Sequence, residues 1–501
     1  MYARLTDGTN YGSYASVTIL DKINPQSAKI NLSTNTTKEK ETITATVTHT
    51  DNESGVNITN CKWVYNTTST PIGTEEGSYT GGNFSSNGET INLTVSTAGT
   101  YYLHVLTVDM GGNKTESISN AITVEKKIVA DGSFSEEKGV NTPDLANGKL
   151  TPVKWVNNTL RTTTADDPDW YDYSTTAKKW ANAQTADGSL WVWIPRYAYN
   201  ITSGYHTSSA GTIEIEFMKG TSNETAAGRT SFNNVSKQGN WNIHPAFNYG
   251  GTVAGIWVAK FEASSVEGNG NTGNADNVLT KTLQVKPGVA SWRYIEIENM
   301  YTICLNYNST LNSHMMKNDE WGAVAYLSKS KYGKNSEVTI NDSSSYYTGG
   351  GTGNAYVKNK AQSTTGNEWG IYDMNGGAYE YVAAYVDVGN LIDYGFKLIN
   401  GAAKTKNVYL EEEQIGDSLE NYIENAKKYG DAIYETSGNS DSPWNFSWYN
   451  DYSYFPQHND PFFVRGGLYN EDSEAGIFAF TGYDGNGYDS NSFRPVLAVS
   501  Y

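Results

Sequence analysis

Near its end the chain reads Phe463-Val-Arg-Gly-Gly467 and, after a polar insert, Ser492-Phe-Arg-Pro-Val-Leu497. These apolar runs are typical of rigid framework strands. Two inserts rich in Tyr, Asn, Asp, Ser and Gly lie between them, at 468–474 and 481–491, on either side of the apolar strand 475–480. Tyrosine rings supply contact area at a low entropy cost, and small polar residues adapt their hydrogen bonds. The pattern predicts a binding surface carried on a stiff framework.

Aromatic residues are concentrated in this part of the chain. The stretch 443–493 has 15 aromatic residues in 51, and at that density not all of the following rings can be core: Trp444, Phe446, Trp448, Tyr449, Tyr452, Tyr454 and Phe455. We expect part of these rings to extend the binding surface. The framework rings are expected to be buried, and they are Phe462, Phe463, Phe478, Phe480 and Phe493.

Length and composition predict a folded, β-rich protein of two or three domains. The chain has 501 residues, of which 13% are aromatic and only 18% are charged. That aromatic content is too high for a disordered chain. The length exceeds that of one ordinary domain.

The formal net charge of −18 argues against two kinds of partner. Binding to a nucleic-acid backbone needs clustered Lys and Arg, and an anionic membrane surface attracts the same residues. The sequence also has no run of 18 apolar residues, the length that a membrane-spanning helix needs. We therefore expect no nucleic-acid partner and no direct membrane insertion.

Turn and strand signals divide the chain into four segments. Residues 1–21 are expected to end an upstream immunoglobulin-like domain. Residues 22–127 contain short alternating strands between Asn/Gly turns, which predict a β-sandwich similar to the immunoglobulin-like spacers of bacterial surface proteins. Residues 128–147 are polar with scattered Gly and Pro and predict a linker. Residues 148–501 form the remaining domain, with apolar strands followed by helical patterns at 297–305, from Asn318, and at 411–429.

Six short motifs follow one another across 190–501. They are Leu190-Trp-Val-Trp-Ile-Pro195, Ile256-Trp-Val-Ala-Lys-Phe-Glu262, the stretch 289–306 with Trp292 and Cys304, Asn318-Asp-Glu-Trp321, Trp369-Gly-Ile-Tyr-Asp-Met-Asn-Gly-Gly-Ala-Tyr-Glu-Tyr381, and the two framework runs. In this order they resemble the motifs of the formylglycine-generating-enzyme branch of the C-type lectin fold. The resemblance implies a mainly β fold with α+β character, in which an immunoglobulin-like sandwich precedes a lectin-like domain.

The oxidases of this family resemble one another in a pair of active-site cysteines near the C-terminus. This chain has two cysteines, Cys61 and Cys304, and none after the second. Thiolate is the required nucleophile and metal ligand, and Ser or Tyr does not replace it. We therefore expect no enzyme activity of this type and no cofactor.

The non-enzymatic members offer a closer match. The domain resembles the variable proteins of diversity-generating retroelements, which display a hypervariable surface at the C-terminal end of a C-type lectin scaffold. Adenine-directed mutagenesis of Asn-type codons implies Asn, Tyr, Ser, Asp, Thr, Gly or Leu at variable sites, whereas Glu471 and Glu474 do not arise this way. The compatible positions, which we take as candidate ligand-binding residues, are Leu468, Tyr469, Asn470, Asp472, Ser473, Thr481, Tyr483, Asp484, Asn486, Tyr488, Asp489 and Asn491.

Calcium is the one ion that the resemblance suggests. Some relatives bind it near the motif that here reads Asn375-Gly-Gly-Ala-Tyr-Glu380, and oxygen ligands there would suit a hard cation. The candidate ligands are Asn375 and Glu380. The alternative is that Glu380 pairs with Arg465 or Arg494 in the core, because a buried charge needs a partner.

These observations favour an extracellular adhesin or receptor-binding protein, displayed on a bacterial cell or a virion. The variable face would bind a protein or glycan ligand on another cell or surface. Two alternatives stay open. A divergent formylglycine-generating-enzyme-like or glycan-active enzyme would need a metal or two facing carboxylates in a cleft. A structural pilus or tail subunit would have loops that bind nothing.

Overall fold

The computed structural model describes residues 2–3, 6, 8–11, 15–16, 20–127, 129–267, 278–389, 394–412, 417–438 and 445–499. These residues form 32 strands and four α-helices, so the chain is mainly β, as the sequence predicts. The chain divides into two compact units, Met1–Ile128 (unit 1) and Val129–Tyr501 (unit 2).

Unit 1 is built from short strands in which apolar and polar residues alternate. In β5 the side chains of Ile43, Ala45 and Val47 are buried and those between them are not, which is the period of a strand with one face on a core. The strands are β1 (Tyr2–Ala3), β2 (Ala15–Ser16), β3 (Lys29–Leu32), β4 (Thr36–Lys38), β5 (Thr42–Thr48), β6 (Lys62–Asn66), β7 (Gly82–Asn83), β8 (Thr90–Thr94), β9 (Gly99–Val108), β10 (Lys114–Ile118) and β11 (Ile122–Glu125).

Two sheets of unit 1 share one core. One sheet has the order β3-β5-β8, and the other has the order β4-β11-β9-β6-β7 with β10 paired to β9. Ile91 of the first sheet and Leu103 and Val105 of the second lie in the same apolar cluster. This arrangement buries one face of each sheet, as in a sandwich.

Unit 2 contains the remaining strands and all four helices. The strands are β12 (Phe134–Ser135), β13 (Val140–Asn141), β14 (Thr151–Val156), β15 (Thr159–Thr162), β16 (Asn182–Gln184), β17 (Leu190–Pro195), β18 (Tyr197–Ser203), β19 (Thr212–Phe217), β20 (Asn242–Ile243), β21 (Gly255–Ala259), β22 (Ser264–Ser265), β23 (Leu283–Gln284), β24 (Ser313–Met315), β25 (Tyr379–Asp387), β26 (Asn407–Leu410), β27 (Asn445–Phe446), β28 (Tyr452–Ser453), β29 (Phe462–Gly466), β30 (Gly476–Tyr483), β31 (Asn491–Phe493) and β32 (Pro495–Leu497). The helices are α1 (Ile297–Tyr307), α2 (Asn318–Lys329), α3 (Phe396–Ile399) and α4 (Ser418–Glu424).

Two large sheets organise unit 2. The first has the order β15-β14-β16-β17-β21-β32-β24, and the second has the order β26-β25-β29-β30-β28-β27 with β31 paired to β25. In the first sheet Trp193 faces Trp257 across the β17–β21 pair, with ring centroids 5.3 Å apart. Such cross-strand aromatic pairs stabilise a sheet by about 0.2–1 kcal/mol each. The chain passes from the second sheet to the first at Arg494, between β31 and β32.

The structure confirms the helical patterns at 297–305 and from Asn318, which form α1 and α2. The third pattern, at 411–429, is longer than the helix that forms there. Asn318 is the first residue of α2, and Lys317 precedes it at the N-cap position, where its backbone N–H donates to the Glu320 carboxylate at 2.9 Å. The pattern at 411–429 yields only Ser418–Glu424, capped by Asp417, while residues 413–416 lie outside the described residues.

The segment 128–147 is predicted to be a linker, but its residues 129–147 are part of unit 2. Val140 and Leu145 belong to its main apolar cluster, and the Asn141 side chain donates to the carbonyl of Ala254 at 2.8 Å. Polar composition is misleading here because these polar groups are buried and hydrogen-bonded. Of residues 1–21 only short pieces are described, among them the β1–β2 pair.

Candidate ligand-binding face

Neighbouring strands of the second sheet carry the two predicted inserts. Strand β29 lies between β25 and β30, and β31 pairs in parallel with β25. Every residue of β29 is buried, as are the first six of β30. All five framework rings are buried, as the sequence predicts. The first insert follows the end of β29. The second insert overlaps the end of β30, which extends as far as Tyr483.

The two inserts meet at Tyr379, the first residue of β25. Its hydroxyl donates a hydrogen bond to the Glu471 carboxylate of the first insert. Its ring centroid lies 5.7 Å from that of Tyr483, which lies 5.5 Å from that of Tyr488 in the second insert. The Tyr488 hydroxyl donates to the Asp484 carboxylate at 3.0 Å. The inserts therefore form one continuous surface.

A second series of contacts joins the inserts on the other side. The Arg293 guanidinium donates to the backbone oxygen of Asp489 and stacks 3.7 Å from the ring centroid of Tyr346. The Tyr346 ring lies 5.1 Å from that of Tyr469 in the first insert. The backbone N–H of Tyr469 donates to the Gly377 carbonyl at 3.0 Å. We call this surface the tyrosine face, defined by Tyr294, Tyr346, Tyr379, the first insert (468–474) and residues 483–490 of the second insert.

Framework atoms hold the backbone of the second insert. The Gly485 N–H donates to the Tyr381 hydroxyl at 3.1 Å, and the Gly485 carbonyl accepts from the Ile297 N–H at 3.0 Å. The Tyr488 carbonyl accepts from the Tyr294 N–H at 3.0 Å. These bonds use main-chain atoms of the insert, so they do not depend on which side chains it carries.

The first insert is held in place by the side chain of Glu471, which is not among the codon-compatible positions. Both Glu471 oxygens are occupied, one by the Tyr379 hydroxyl and the other by the Leu468 N–H at 2.9 Å. The insert leaves β29 through Gly467, whose φ of 75° lies in the left-handed region. A Cβ there would sit 2.5 Å from the Ala475 Cα. Glycine at 467 and glutamate at 471 are therefore structural requirements of the insert.

The twelve candidate positions divide into three groups by burial. Ten are exposed or half-buried, and Thr481 and Asn491 lie in the interior at 9% and 0% exposure. These two belong to strands β30 and β31 and face away from solvent, so we remove them from the binding surface. The exposed residues are Asn470, Asp472, Ser473, Tyr488 and Asp489. The half-buried residues are Leu468, Tyr469, Tyr483, Asp484 and Asn486.

The structure adds four residues that the sequence did not single out as binding residues. Tyr379, Arg293 and Tyr294 lie inside quoted motifs, but nothing in those motifs marks them as surface residues, and Tyr346 comes from a loop without a periodic pattern. Tyr294 and Tyr346 both have left-handed backbone, with φ of 61° and 55°. Large side chains rarely adopt this conformation, and strain of this kind concentrates at binding sites.

Carboxylates surround the rings of this face. Burial raises the pKa of Tyr483, and the charges of Glu471, Asp460 and Asp484 raise it further. Burial also raises the pKa of Glu471, and the Glu474 charge adds to that rise. Burial and the Asp484 charge raise the pKa of Asp460. Glu471 and Glu474 therefore repel each other, as do Asp460 and Asp484.

The structure gives one of the two calcium candidates another role. Both Glu380 oxygens accept from Arg494, at 2.5 and 2.9 Å, in a bidentate pair. The positive charge of this guanidinium opposes a second cation, so Glu380 is the core ion-pair partner of the alternative. The Asn375 side-chain NH₂ donates to the Val338 carbonyl at 2.5 Å, whereas its Oδ1, the atom that would bind a cation, accepts no hydrogen bond from a described residue.

Another group has the composition of a cation site. Asp21, Asp51 and Asp109 of unit 1 place carboxylate oxygens within 4.8 Å of one another. Both Asp109 oxygens accept from Asn113, at 2.8 Å each. Oxygen donors of this kind could hold a hard cation such as Ca²⁺. The local sequence indicates only turns at these positions.

A separate cavity of about 450 Å³ lies in unit 2 beside α1. Its one described carboxylate, Asp187, already accepts from Thr185 and Ser189 at 2.6 Å each and from Tyr307 at 3.1 Å. These bonds lower the pKa of Asp187 against the opposing effect of burial. A carboxylate saturated in this way is suited to holding the cavity wall in place.

No family model matches the chain, and no curated protein matches it. Among solved structures the chain is similar to the SGBP-B protein of the Bacteroides ovatus mixed-linkage glucan utilization locus, solved in complex with a mixed-linkage heptasaccharide. The identity is 16%, the TM-score is 0.13, and the match covers 48% of this chain and 64% of that chain, less than two thirds of its length. A TM-score this low carries no argument about fold or ligand. Among the described residues, no helix combines the length and the apolar character that a membrane crossing requires.

Proposed function

We propose that this chain is an extracellular ligand-binding protein, an adhesin or receptor-binding protein, that binds its partner through the tyrosine face. One observation supports this most. Main-chain bonds to Tyr381, Ile297 and Tyr294 hold the second insert, while the side chains of Tyr488 and Asp489 are exposed. Rigid aromatic anchors among adaptable polar groups are how a paratope concentrates binding energy. The ligand is a protein or a glycan on another cell or surface.

We further propose that unit 2 is a C-type lectin domain of the formylglycine-generating-enzyme branch, varied by a diversity-generating retroelement. Two observations support this. Ten of the twelve codon-compatible positions are exposed or half-buried. Glu471, which is not codon-compatible, has a structural role. In this proposal unit 1 is an immunoglobulin-like spacer on a bacterial cell or virion.

Randomising the ten exposed or half-buried positions in the full chain tests whether the face is separable from the fold. We expect most members of the library to keep their Tm within a few degrees and different members to bind different targets, with lysozyme and serum albumin as baits. The matched control randomises Thr481 and Asn491, buried positions of the same segments, and we expect it to lose cooperative unfolding. An equal loss of cooperative unfolding in both libraries would contradict the proposal.

Sequencing the same locus in several isolates tests the retroelement separately. We expect differences concentrated at the ten positions, with Gly467 and Glu471 unchanged. A uniform spread of differences along 148–501 would contradict the retroelement proposal and favour a structural subunit.

A further inference from the structure

Three carboxylates of the tyrosine face are exposed and have no partner among the described residues. No described residue donates a hydrogen bond to the side chains of Asp472, Glu474 or Asp489, or forms an ion pair with them. Several other charged side chains of unit 2 do form ion pairs, such as Lys360 with Glu368 and Lys219 with Glu224, at 2.8 Å each. The free carboxylates lie in the same two inserts as the tyrosine anchors.

Positive charge on the face is scarce. Among the described residues, the cation that packs on these rings is Arg293, and it is only 7% exposed. It lies against the Tyr346 ring and donates to the Asp489 backbone, while no described residue pairs with the Asp489 carboxylate. The face therefore presents negative charge and ring faces together. Both attract guanidinium and ammonium groups, the rings through their quadrupole and the carboxylates through their charge.

The unpaired carboxylates also decide between kinds of ligand. A neutral ligand that covered them would remove their water and give no opposite charge in return, which is unfavourable. A ligand carrying Arg or Lys would replace that water and relieve the repulsion between Glu471 and Glu474 and between Asp460 and Asp484.

We infer that the partner of the tyrosine face is a basic protein segment, whose Arg or Lys side chains lie on the tyrosine rings and pair with Asp472, Glu474, Asp484 and Asp489. This inference rests on the proposed function and adds the chemistry of the ligand. Because the carboxylates are exposed, the charge contribution is sensitive to salt. The rings supply the part of the binding energy that salt does not screen.

The test uses the full chain and two fluorescent peptides, hepta-arginine and hepta-citrulline, which have similar shapes but differ in charge. We expect hepta-arginine to bind at least tenfold more tightly in 50 mM salt. The variant D472N/E474Q/D484N/D489N should weaken its binding at least fivefold, and Tyr488→Ala at least threefold. A melting curve checks that each variant is folded.

The matched control removes four acidic charges elsewhere in unit 2, as E136Q/E137Q/D169N/E214Q, and should change the affinity less than twofold. Equal weakening by the control and face variants would mean that net charge alone attracts the peptide, and would overturn the inference. Equal binding of the two peptides, or no binding of hepta-arginine, would also overturn it.

A third probe separates this inference from the proposed function. If cellohexaose binds, depends on Tyr483 and Tyr488, and is unaffected by the four charge neutralisations, the basic-segment inference fails and the ligand-binding function stands. If the randomised-face library also loses its fold, both fail. Retained folding of that library with charge-dependent hepta-arginine binding supports both.

Discussion

Strands β29 and β30 and the inserts beside them belong to one stretch of chain but follow different physical rules. In β29 every side chain is buried, and a change of one methylene group is felt by its neighbours. In the inserts, exposed side chains such as Tyr488 and Asp489 have solvent around them. The difference indicates that the framework specifies the fold, while the proposed function assigns contact with the ligand to the inserts.

The buried framework of unit 2 also contains charged side chains. Arg494 is fully buried and donates to Glu380, to the Ala259 carbonyl at 2.8 Å and to the Tyr372 carbonyl at 2.9 Å. These bonds join the second sheet to the first, because Ala259 belongs to β21 and Glu380 to β25. The packing of the two sheets therefore depends on buried polar contacts, and losing them would destabilise unit 2 strongly.

The largest expected effect follows from breaking this junction. We expect Arg494→Met to lower the free energy of unfolding of unit 2 by about 3–5 kcal/mol, because it leaves the Glu380 carboxylate buried without a cation. Urea unfolding followed by tryptophan fluorescence reports on this unit, since every tryptophan except Trp63 lies in it. Arg161→Met, at an exposed position of β15, is the control and should change stability by less than about 0.5 kcal/mol. A loss of similar size at both positions would contradict the comparison.

A pH effect of somewhat smaller size comes from Glu435. Burial raises the pKa of Glu435 to about 7, although Tyr199, Tyr326 and the Gly430 N–H all donate to its carboxylate. The folded state then holds a proton that the unfolded chain releases above pH 4.5, so this group's stabilisation falls as pH rises from 4.5 to 7. The loss over that range is on the order of 3 kcal/mol.

The Glu435→Gln variant isolates this contribution. Burial lowers the pKa of His244 to about 3, which makes stability rise with pH between about 3 and 6.5 and opposes the Glu435 effect in the parent chain. The informative quantity is therefore the stability of the parent minus that of the variant. We expect it to decrease from pH 4.5 to 7 in urea titrations at several pH values, and a flat difference would contradict the raised pKa.

The boundary between framework and insert should be sensitive to backbone shape. We expect Gly467→Ala to cost about 2 kcal/mol, because it combines left-handed backbone with a Cβ that overlaps Ala475. Gly228 is a matched control, since its φ is 85° but no atom lies within 4 Å of the position that a Cβ would occupy. Gly228→Ala should therefore cost only about 1 kcal/mol in the same denaturation experiment. Equal losses would mean that the close approach to Ala475 is relaxed at little expense.

Sequence patterns predicted the framework better than the face. The runs at 463–467 and 492–497 and the apolar strand 475–480 are local signals, and their rings are buried as expected. Tyr294 and Tyr346 could not be found this way, because only tertiary folding brings them next to Tyr488 and Tyr469. Their left-handed backbone leaves no mark in a pattern of residue types.

Two errors have the same physical origin. Residue type selects Thr481 and Asn491 as binding residues, but side-chain direction in a strand depends on position, and both point inward. Polarity predicts a linker at residues 128–147, yet Asn141 and Asp144 are buried and hydrogen-bonded. Composition describes what a residue prefers on average, whereas burial is decided by partners that the local sequence does not contain.

The smallest expected change in stability is that of Tyr488→Ala, and the comparison between framework strands and inserts depends most on it. Tyr488 is 36% exposed, and its side-chain contacts are the Asp484 carboxylate at 3.0 Å and the Tyr483 ring at 5.5 Å. Its main chain, held by Tyr294, is unchanged by substitution. We therefore expect Tyr488→Ala to change the free energy of unfolding by less than about 1 kcal/mol. Phe493→Ala, five residues along the chain and fully buried, should cost about 3–5 kcal/mol. If the two substitutions cost the same in urea unfolding, the inserts are as much a part of the core as the strands, and their side chains are not free to vary.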